Sequence, residues 1–427
     1  MDSWYLHDGI VFRSGKFQQE DVLIVNGKIA AFGLEAQRLR RQTSAPVRDY
    51  NAEGMVISHG FVDLHVHLRE PGFTSKETIA SGTMAAAAGG FTTVCAMPNT
   101  KPPLDTLNRL ADLERRIEQD AQVKVVPIAA ATRNRAGKVL NEYRDFVQHG
   151  ISLFSDDGDP VETEVIAAVM KELAAVGGVL INHLEDKSLV KPGFFADAIP
   201  PESEYRMLER DLELVAKYQC RYHAAHLSCA QSVRLIAEAK AAGLPVTAEV
   251  TPHHLTLTID DIAEPYGHYQ MNPPLRTDAD REALIEGLRT GIIDAVATDH
   301  APHGREKEQG LYSDSPFGVT GLETAFPLLY SKLVLAGRLK LERLLAALTL
   351  GPGMVLGHNC DLAVGEAADL VALDLNQIRT VSADQFFSKG TNSPFIGQEL
   401  RGWPVLTLVN GEEKYSAVWV EGVLLCC

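Results

Sequence analysis

The sequence predicts an α/β protein, a (β/α)8 TIM barrel with a small β-sandwich domain built from both chain ends. Three observations lead there. First, the stretch from about residue 56 to 350 alternates strand-like apolar runs with helix-like segments, and eight strand-like runs stand out: GFVDLHVH, FTTVCAMPN, VKVVPIAAAT, GISLFSDDG, GVLINHLED, RYHAAHLS, LPVTAEVTPHH and IIDAVATDHAPH. Near-continuous apolar strands suit a parallel sheet covered by helices, and eight β/α units over roughly 250 residues is the usual size of such a barrel. Second, His, Asp and Asn recur at the C-terminal ends of these strands, the barrel face where active sites sit. Third, the two chain ends share a β-rich texture that the middle lacks. A doubly wound open sheet fits less well, since no GxGxxG follows a strand.

In chain order, residues 1–55 form the N-terminal part of the β domain. YLHDGIVFRSG and EDVLIVNGKIAAFG read as short strands, with Asn26-Gly27 a hairpin turn. Residues 56–360 form the barrel. Its crossover helices include KETIASGTMAAAAGG, TEVIAAVMKELAAVG and AQSVRLIAEAKAAG. Residues 361–427 return to the β domain, with a second Asn-Gly at 410–411. Domain termini often lie close together, so the two ends fold as one unit.

Composition narrows the function. The chain has 427 residues, 45% hydrophobic and 22% charged, as a globular protein with ample core has. Its 40 basic and 56 acidic residues give a formal net charge of −16. An acidic surface attracts neither nucleic acid nor an anionic membrane, although a local Arg or metal can still bind a small anion. The six cysteines, at 95, 220, 229, 360, 426 and 427, make no CxxC pair. They read as reduced thiols of a cytoplasmic protein, with Cys426-Cys427 an untethered tail. No signal peptide and no apolar run long enough to span a membrane is apparent.

The strand ends carry the chemistry. His65 and His67 lie two residues apart, so strand alternation points both imidazoles the same way. His183 ends GVLINH, His226 ends YHAAH, Asp299 ends AVATD, and Asp156-Asp157 end ISLFSDDG. Taken singly, each is an ordinary hydrogen-bonded, capping or turn residue. Together, four imidazoles and carboxylates make a ligand set for a zinc-like divalent metal. They exceed the needs of one tetrahedral site, and two metals sharing a carboxylate would use them all. Arg69, Asn99, Asn272 and His303 occupy other strand ends or the loops beyond them. An Arg fork suits a carboxylate and the Asn side chains suit amides, so an anionic, amide-like substrate fits.

The chain resembles the amidohydrolase superfamily and, within it, the class I bacterial dihydroorotases. The matching stretches are GFVDLHVHLREPG, ETIASGTMAAAAGGFTTVCAMPNT, FSDDG, VTAEVTPHHLTL, MNPPLR, ATDHAPH, PFGVTGLET and SKGTNSPFIGQELRG. The resemblance implies reversible cyclisation of N-carbamoyl-L-aspartate to L-dihydroorotate and water, the third step of pyrimidine biosynthesis. It implies two Zn2+ per subunit, bridged by Asp157 and a hydroxide. His65 and His67 would hold the more buried metal with Asp157 and Asp299, and His183 and His226 the second with Asp157. Asp299 would be the catalytic acid and base. Substrate contacts would come from His67, Arg69, Asn99, Asn272 and His303, and from the backbone of Phe317 and Gly318. A homodimer is implied, and association with aspartate transcarbamoylase stays open. An allantoinase or hydantoinase is the near rival, and Arg69 separates them, because a substrate without the carboxylate does not need that fork. A scaffold-only relative should have lost metal ligands, yet every expected one is present. The long segment between Asp299 and Phe317 is a candidate lid.

Overall fold

The computed structural model describes residues 3–159, 161–192, 195–263, 266–304, 316–420 and 423–426. The apolar runs become parallel strands in chain order: Phe61–Val66, Phe91–Ala96, Lys124–Pro127 continued by Ala129–Ala130, Leu153–Ser155, Val179–Asn182, Arg221–Ala224, Val246–Val250 and Ala295–Val296. Each pairs with the next. The third strand is interrupted at Ile128, whose N–H still reaches the Ala96 carbonyl at 3.0 Å. The barrel closes where Val66 bridges His300 in parallel, with His67 N donating to the His300 carbonyl at 2.9 Å. Below that bridge a side chain replaces the ladder: Asp63 accepts from Thr298 N at 3.1 Å and from Thr298 Oγ1 at 2.6 Å. Burial pushes the Asp63 carboxyl up to about 7.

The expected crossover helices form at Ile79–Ala88, Thr163–Val176 and Ala230–Ala241. Thr78 starts the first with a capping box, its hydroxyl accepting from Ser81 N. Helices and strands share one large core, with Phe61, Phe91, Phe154 and Tyr222 fully enclosed.

Both chain ends build the sandwich. One sheet runs, in spatial order, Lys28–Phe32, Val22–Val25, Trp4–His7, Arg48–Asn51. The other runs Val423–Cys426, Glu412–Val420, Glu399–Val409, Leu370–Thr380, Met55–His59, Ile10–Arg13, Lys16–Gln19. Trp4, Leu6 and Ile24 of the first pack on Val11, Ile57, Leu370 and Leu406 of the second. Both Asn-Gly turns join two-residue hairpins, with φ of 51° and 77° at Asn26-Gly27 and 51° and 73° at Asn410-Gly411.

The structure departs from expectation in three places. Residues 33–42, expected as strand and turn, form the helix Gly33–Gln42, because Ala36 and Leu39 give it an apolar edge against Leu23 and Ala31. Residues 56–59, expected in the barrel, lie in Met55–His59, which pairs with Leu370–Thr380 and Ile10–Arg13 of the sandwich. Cys426, expected in a loose tail, sits in a strand opposite Ala417. Cys95, Cys220, Cys229 and Cys360 are free and buried. Among the described residues no helix is long and apolar enough to cross a membrane. The expected lid covers residues 305–315, which lie outside the described residues.

Candidate active site

Six side chains from five strand ends converge at the C-terminal mouth of the barrel, and His65, His67, Asp157, His183, His226 and Asp299 are all buried. The first strand delivers its two imidazoles side by side, ring centroids 5.3 Å apart. His65 Nε2 lies 3.4 Å from Asp157 Oδ1 and 3.6 Å from Asp299 Oδ1. His67 Nε2 lies 3.0 Å from Asp299 Oδ1 and 3.7 Å from Asp157 Oδ2. Of the adjacent aspartates, Asp157 faces the imidazoles. Asp156 turns the other way and accepts from Thr132 N at 3.0 Å and from the Thr132 hydroxyl. Across the mouth, His183 Nδ1 is 3.0 Å from His226 Nε2 and 3.9 Å from Asp157 Oδ1, and the His226 ring centroid is 5.0 Å from that of His65. The backbone bends to aim these groups: φ is 30° at His226, 48° at Asp299 and 61° at Arg69, a region costly for side-chain-bearing residues and concentrated at functional sites.

Hydrogen bonding shows what these nitrogens can accept. His65 Nδ1 donates to Glu249 Oε1 at 3.0 Å, and the other Glu249 oxygen takes His223 Nε2 at 3.1 Å. His67 Nδ1 donates to Asn99 Oδ1 at 2.9 Å, while Asn99 Nδ2 donates to Asp157 Oδ2 at 3.1 Å. In the neutral rings the single proton is therefore spent outward, and both Nε2 lone pairs face carboxylates. That arrangement is repulsive unless a cation lies between them. Among the described residues, two buried nitrogens of this cluster, His65 Nε2 and His226 Nδ1, have no hydrogen-bond partner, at a cost of about 1–3 kcal/mol each if left so. His65, His67 and Asp299 can each offer a ligand atom within 4.8 Å of the others, as can His65, Asp157 and His226. The residues present thus fit a metal centre.

The electrostatics show the same demand for positive charge at this point, which a proton on His65 meets when no metal does. Burial opposes the charged form of His65, but the Asp157 and Asp299 charges outweigh it and hold its pKa well above the usual value. Burial likewise opposes ionisation of Asp157 and Asp299, yet the charge of His65 holds both well below the ordinary carboxylate range. Burial, reinforced by His183 and His65, pushes His226 down to about 3, which keeps a neutral imidazole available as a ligand.

Above this cluster opens a cavity of about 210 Å³, lined in part by His67, Arg69, Asn99, Asn272, Phe317 and Gly318. Arg69 is half-buried, with Nε 3.4 Å from the Pro302 carbonyl and Nη2 3.3 Å from His303 Nε2. His303 lies behind the wall. Its Nδ1 accepts from Lys76 Nζ at 3.1 Å, and its Nε2 donates to the Phe317 carbonyl at 2.8 Å. Asn272 Nδ2 donates to Glu185 Oε2 and lies 3.5 Å from His183 Nε2.

Sequence reasoning missed several supporting residues. Glu249 carries a signal in hindsight, a carboxylate in the middle of the apolar strand VTAEV. Lys76 and Glu185 lie in loops with no such mark. Asn392, in SKGTNSPFIGQELRG, comes from a segment assigned to the β domain, so nothing in its local context points to the barrel mouth.

Comparison with known proteins agrees with this geometry. A family model described as Dihydro-orotase-like matches residues 54–205. A dihydroorotase of Staphylococcus epidermidis is 42% identical over 423 residues, covering 96% of this chain and 99% of that protein. One from Geobacillus sp. is 44% identical over 425 residues, covering 96% and 97%. Among solved structures, an L-hydantoinase (dihydropyrimidinase) from Arthrobacter aurescens superposes with TM-score 0.89 at 29% identity over 100% of this chain and 98% of its own. A dihydropyrimidinase from Brevibacillus agri, with TM-score 0.86 at 24% identity over 96% and 94%, shares the fold. These neighbours are barrels of the amidohydrolase superfamily, whose members are typically metal-dependent. By sequence over nearly its whole length, the chain belongs to the dihydroorotase family.

Proposed function

We propose that this protein is a zinc-dependent dihydroorotase interconverting N-carbamoyl-L-aspartate and L-dihydroorotate plus water. The observation that carries the reading is Arg69 on the cavity wall above the His–Asp cluster. Among the described residues its guanidinium has no carboxylate partner, only the Pro302 carbonyl and His303, so the cavity wall holds a cation that no carboxylate pairs and that suits an anion. The hydantoinase-like neighbours raise the rival of a carboxylate-free ring, and Arg69 argues against it.

His65, His67, Asp157 and Asp299 would hold one zinc ion, and His183, His226 and Asp157 a second. Bound zinc would supply Lewis acidity and lower the pKa of water at the site. Arg69 anchors the substrate carboxylate, with His303 held beside it, and so places the ring amide over the cluster. In hydrolysis, water oxygen attacks the amide carbonyl carbon and Asp299, ionised at neutral pH, takes its proton. The carbon–nitrogen bond breaks and Asp299 returns the proton to the ring nitrogen. In synthesis the ureido nitrogen attacks the side-chain carboxyl, and the same carboxylate moves the proton the other way. Asn99 orients His67 and Asp157, while Asn272, Phe317 and Gly318 enclose the ring.

Two further points rest on the family resemblance. The protein forms a homodimer, with association with aspartate transcarbamoylase a separate question for co-purification. Its free buried thiols suit a cytoplasmic setting. The test of the reading is metal analysis of the purified protein beside turnover of L-dihydroorotate and of hydantoin. Zinc together with a strong preference for L-dihydroorotate is expected. A preference for hydantoin would overturn the assignment.

A further inference from the structure

We propose that Asn392, carried by the C-terminal segment and not by the barrel, is a positioning residue for the substrate wall, acting through His303 and Gly318. This rests on the dihydroorotase reading above. Asn392 is buried. Its Nδ2 donates to the carbonyls of Ala301 at 3.2 Å and Gly318 at 3.0 Å, and its Oδ1 accepts from His303 N at 2.9 Å. Two carbonyls on one side and an N–H on the other leave the amide a single satisfied orientation. The Asn392 carbonyl also accepts from Thr320 N at 3.0 Å. One residue thus ties the turn after the last strand to the loop at 317–320, and Ala301, Phe317 and Gly318 from those two segments line the cavity.

Gly318 shows how tight this junction is. Its φ is 135°, and a Cβ there would meet Ala301 Cβ at 2.5 Å and the Ala301 carbonyl at 2.7 Å. Its N–H is held by the Gln270 carbonyl at 2.9 Å, so Asn392 secures the other side of this residue. The clamp is itself closely seated: a Cβ on Gly390 would meet Pro302 Cβ at 2.6 Å and Asn392 Oδ1 at 2.8 Å. Two residues earlier, Ser388 Oγ donates to Glu77 Oε2 at 2.6 Å. Glu77 stands on the loop that carries Arg69. The segment 388–392 therefore bonds both to the loop that carries Arg69 and to the loop that carries Gly318, so the sandwich domain's chain supports the barrel's site.

The test compares Asn392→Asp and Gly390→Ala with wild type, all as purified holoenzyme. Asn392→Asp keeps the acceptor toward His303, loses both donors and sets a carboxylate against two carbonyls. Gly390→Ala displaces the segment with the amide intact, and carries the same readouts if the first variant does not fold. For Asn392→Asp, KM for L-dihydroorotate should rise about tenfold or more with a much smaller change in kcat, as expected for a misplaced binding wall. The Kd of orotate, a ring bearing the same carboxylate, should weaken by a like factor, with zinc content unchanged. Gly390→Ala should move KM and Kd in the same direction. Unshifted KM and Kd in both variants, or a fall in kcat that merely follows loss of folded protein, overturns the inference. A wild-type protein that neither turns over L-dihydroorotate nor binds orotate overturns the function on which it rests, and with it this role. Wild-type turnover with unshifted variants overturns this role alone.

Discussion

At the scale of single residues, the site is a set of side chains whose protons are already committed elsewhere. Glu249 and Asn99 take the Nδ1 protons of His65 and His67, so both Nε2 atoms face Asp157 and Asp299 as acceptors. Glu249→Gln should lower zinc affinity about 10–100-fold, the usual cost of losing a carboxylate behind a histidine ligand, and competition with a chromogenic chelator measures it. Asp299→Ala should abolish turnover while retaining part of the metal, because His65, His67 and Asp157 remain. Substantial residual turnover would remove Asp299 from the proton-transfer role. Arg69→Gln should raise KM for L-dihydroorotate by about 100-fold or more, since one charge-assisted bidentate contact is lost from both ground and transition states. An unchanged KM would return the hydantoinase reading. His65, His67, Arg69, Asn99, Asp157 and Asp299 were legible in the sequence because polar groups at the ends of apolar strands are conspicuous, whereas Glu249, inside a strand, was missed. Glu185 and Lys76 were not legible either, since a charged residue in a loop is ordinary.

At the scale of elements, close packing between helices, strands and loops sets what each can tolerate. Gly89 caps the helix Ile79–Ala88, and a Cβ there would meet the Leu322 carbonyl oxygen at 2.1 Å. That contact is with backbone, so Gly89→Ala should destabilise by about 1–3 kcal/mol, read as a lower Cm in urea. Nearby, Glu323 accepts from Phe387 N at 2.7 Å and Ser388 N at 3.4 Å, and so joins the barrel to the segment that carries Asn392. Burial raises the Glu323 carboxyl from 4.5 to about 8. A folded-state pKa above the unfolded one means the native state holds the proton longer. Its stabilising contribution is full below about pH 4.5 and is lost as pH rises through about 8. Glu323→Gln should remove this loss, so its stability relative to wild type should be greater at pH 8.5 than at pH 5, near the lower end of the window. Equal differences at the two pH values would show that Glu323 is ionised in the native state. The eight strands and the three named crossover helices were legible from apolar periodicity and length. The helix Gly33–Gln42 was not, because it buries only a narrow edge and its sequence is mostly polar.

At the scale of the whole molecule, a metal held at the barrel mouth would couple to the fold. The cluster draws on strands distant in sequence, with His65 and Asp299 separated by most of the barrel and brought together at the seam where Val66 bridges His300. A ligand that binds only the folded state stabilises it, by roughly 4 kcal/mol when present at about 1,000 times its Kd. Chelation should therefore lower the melting temperature by several degrees, and zinc should restore it. An unchanged melting temperature after verified metal removal would show that the carboxylates and imidazoles satisfy one another unaided.

The sequence by itself determined the barrel, the β-rich ends and the residues that meet at the mouth. These follow from local rules: strand alternation aims His65 and His67 together, and a parallel barrel puts every strand's C-terminal end on one face. The strand pattern alone left Asp156 and Asp157 open and the family resemblance pointed to Asp157; the tertiary structure supplies the physical reason, since Thr132, just past the third strand, captures Asp156. Only the tertiary structure decided that residues 56–59 belong to the sandwich and that Asn392 reaches the barrel mouth. Both are long-range pairings, Asn392 with His303 across 89 residues and Met55–His59 with Leu370–Thr380 across more than 300, and no local pattern records them.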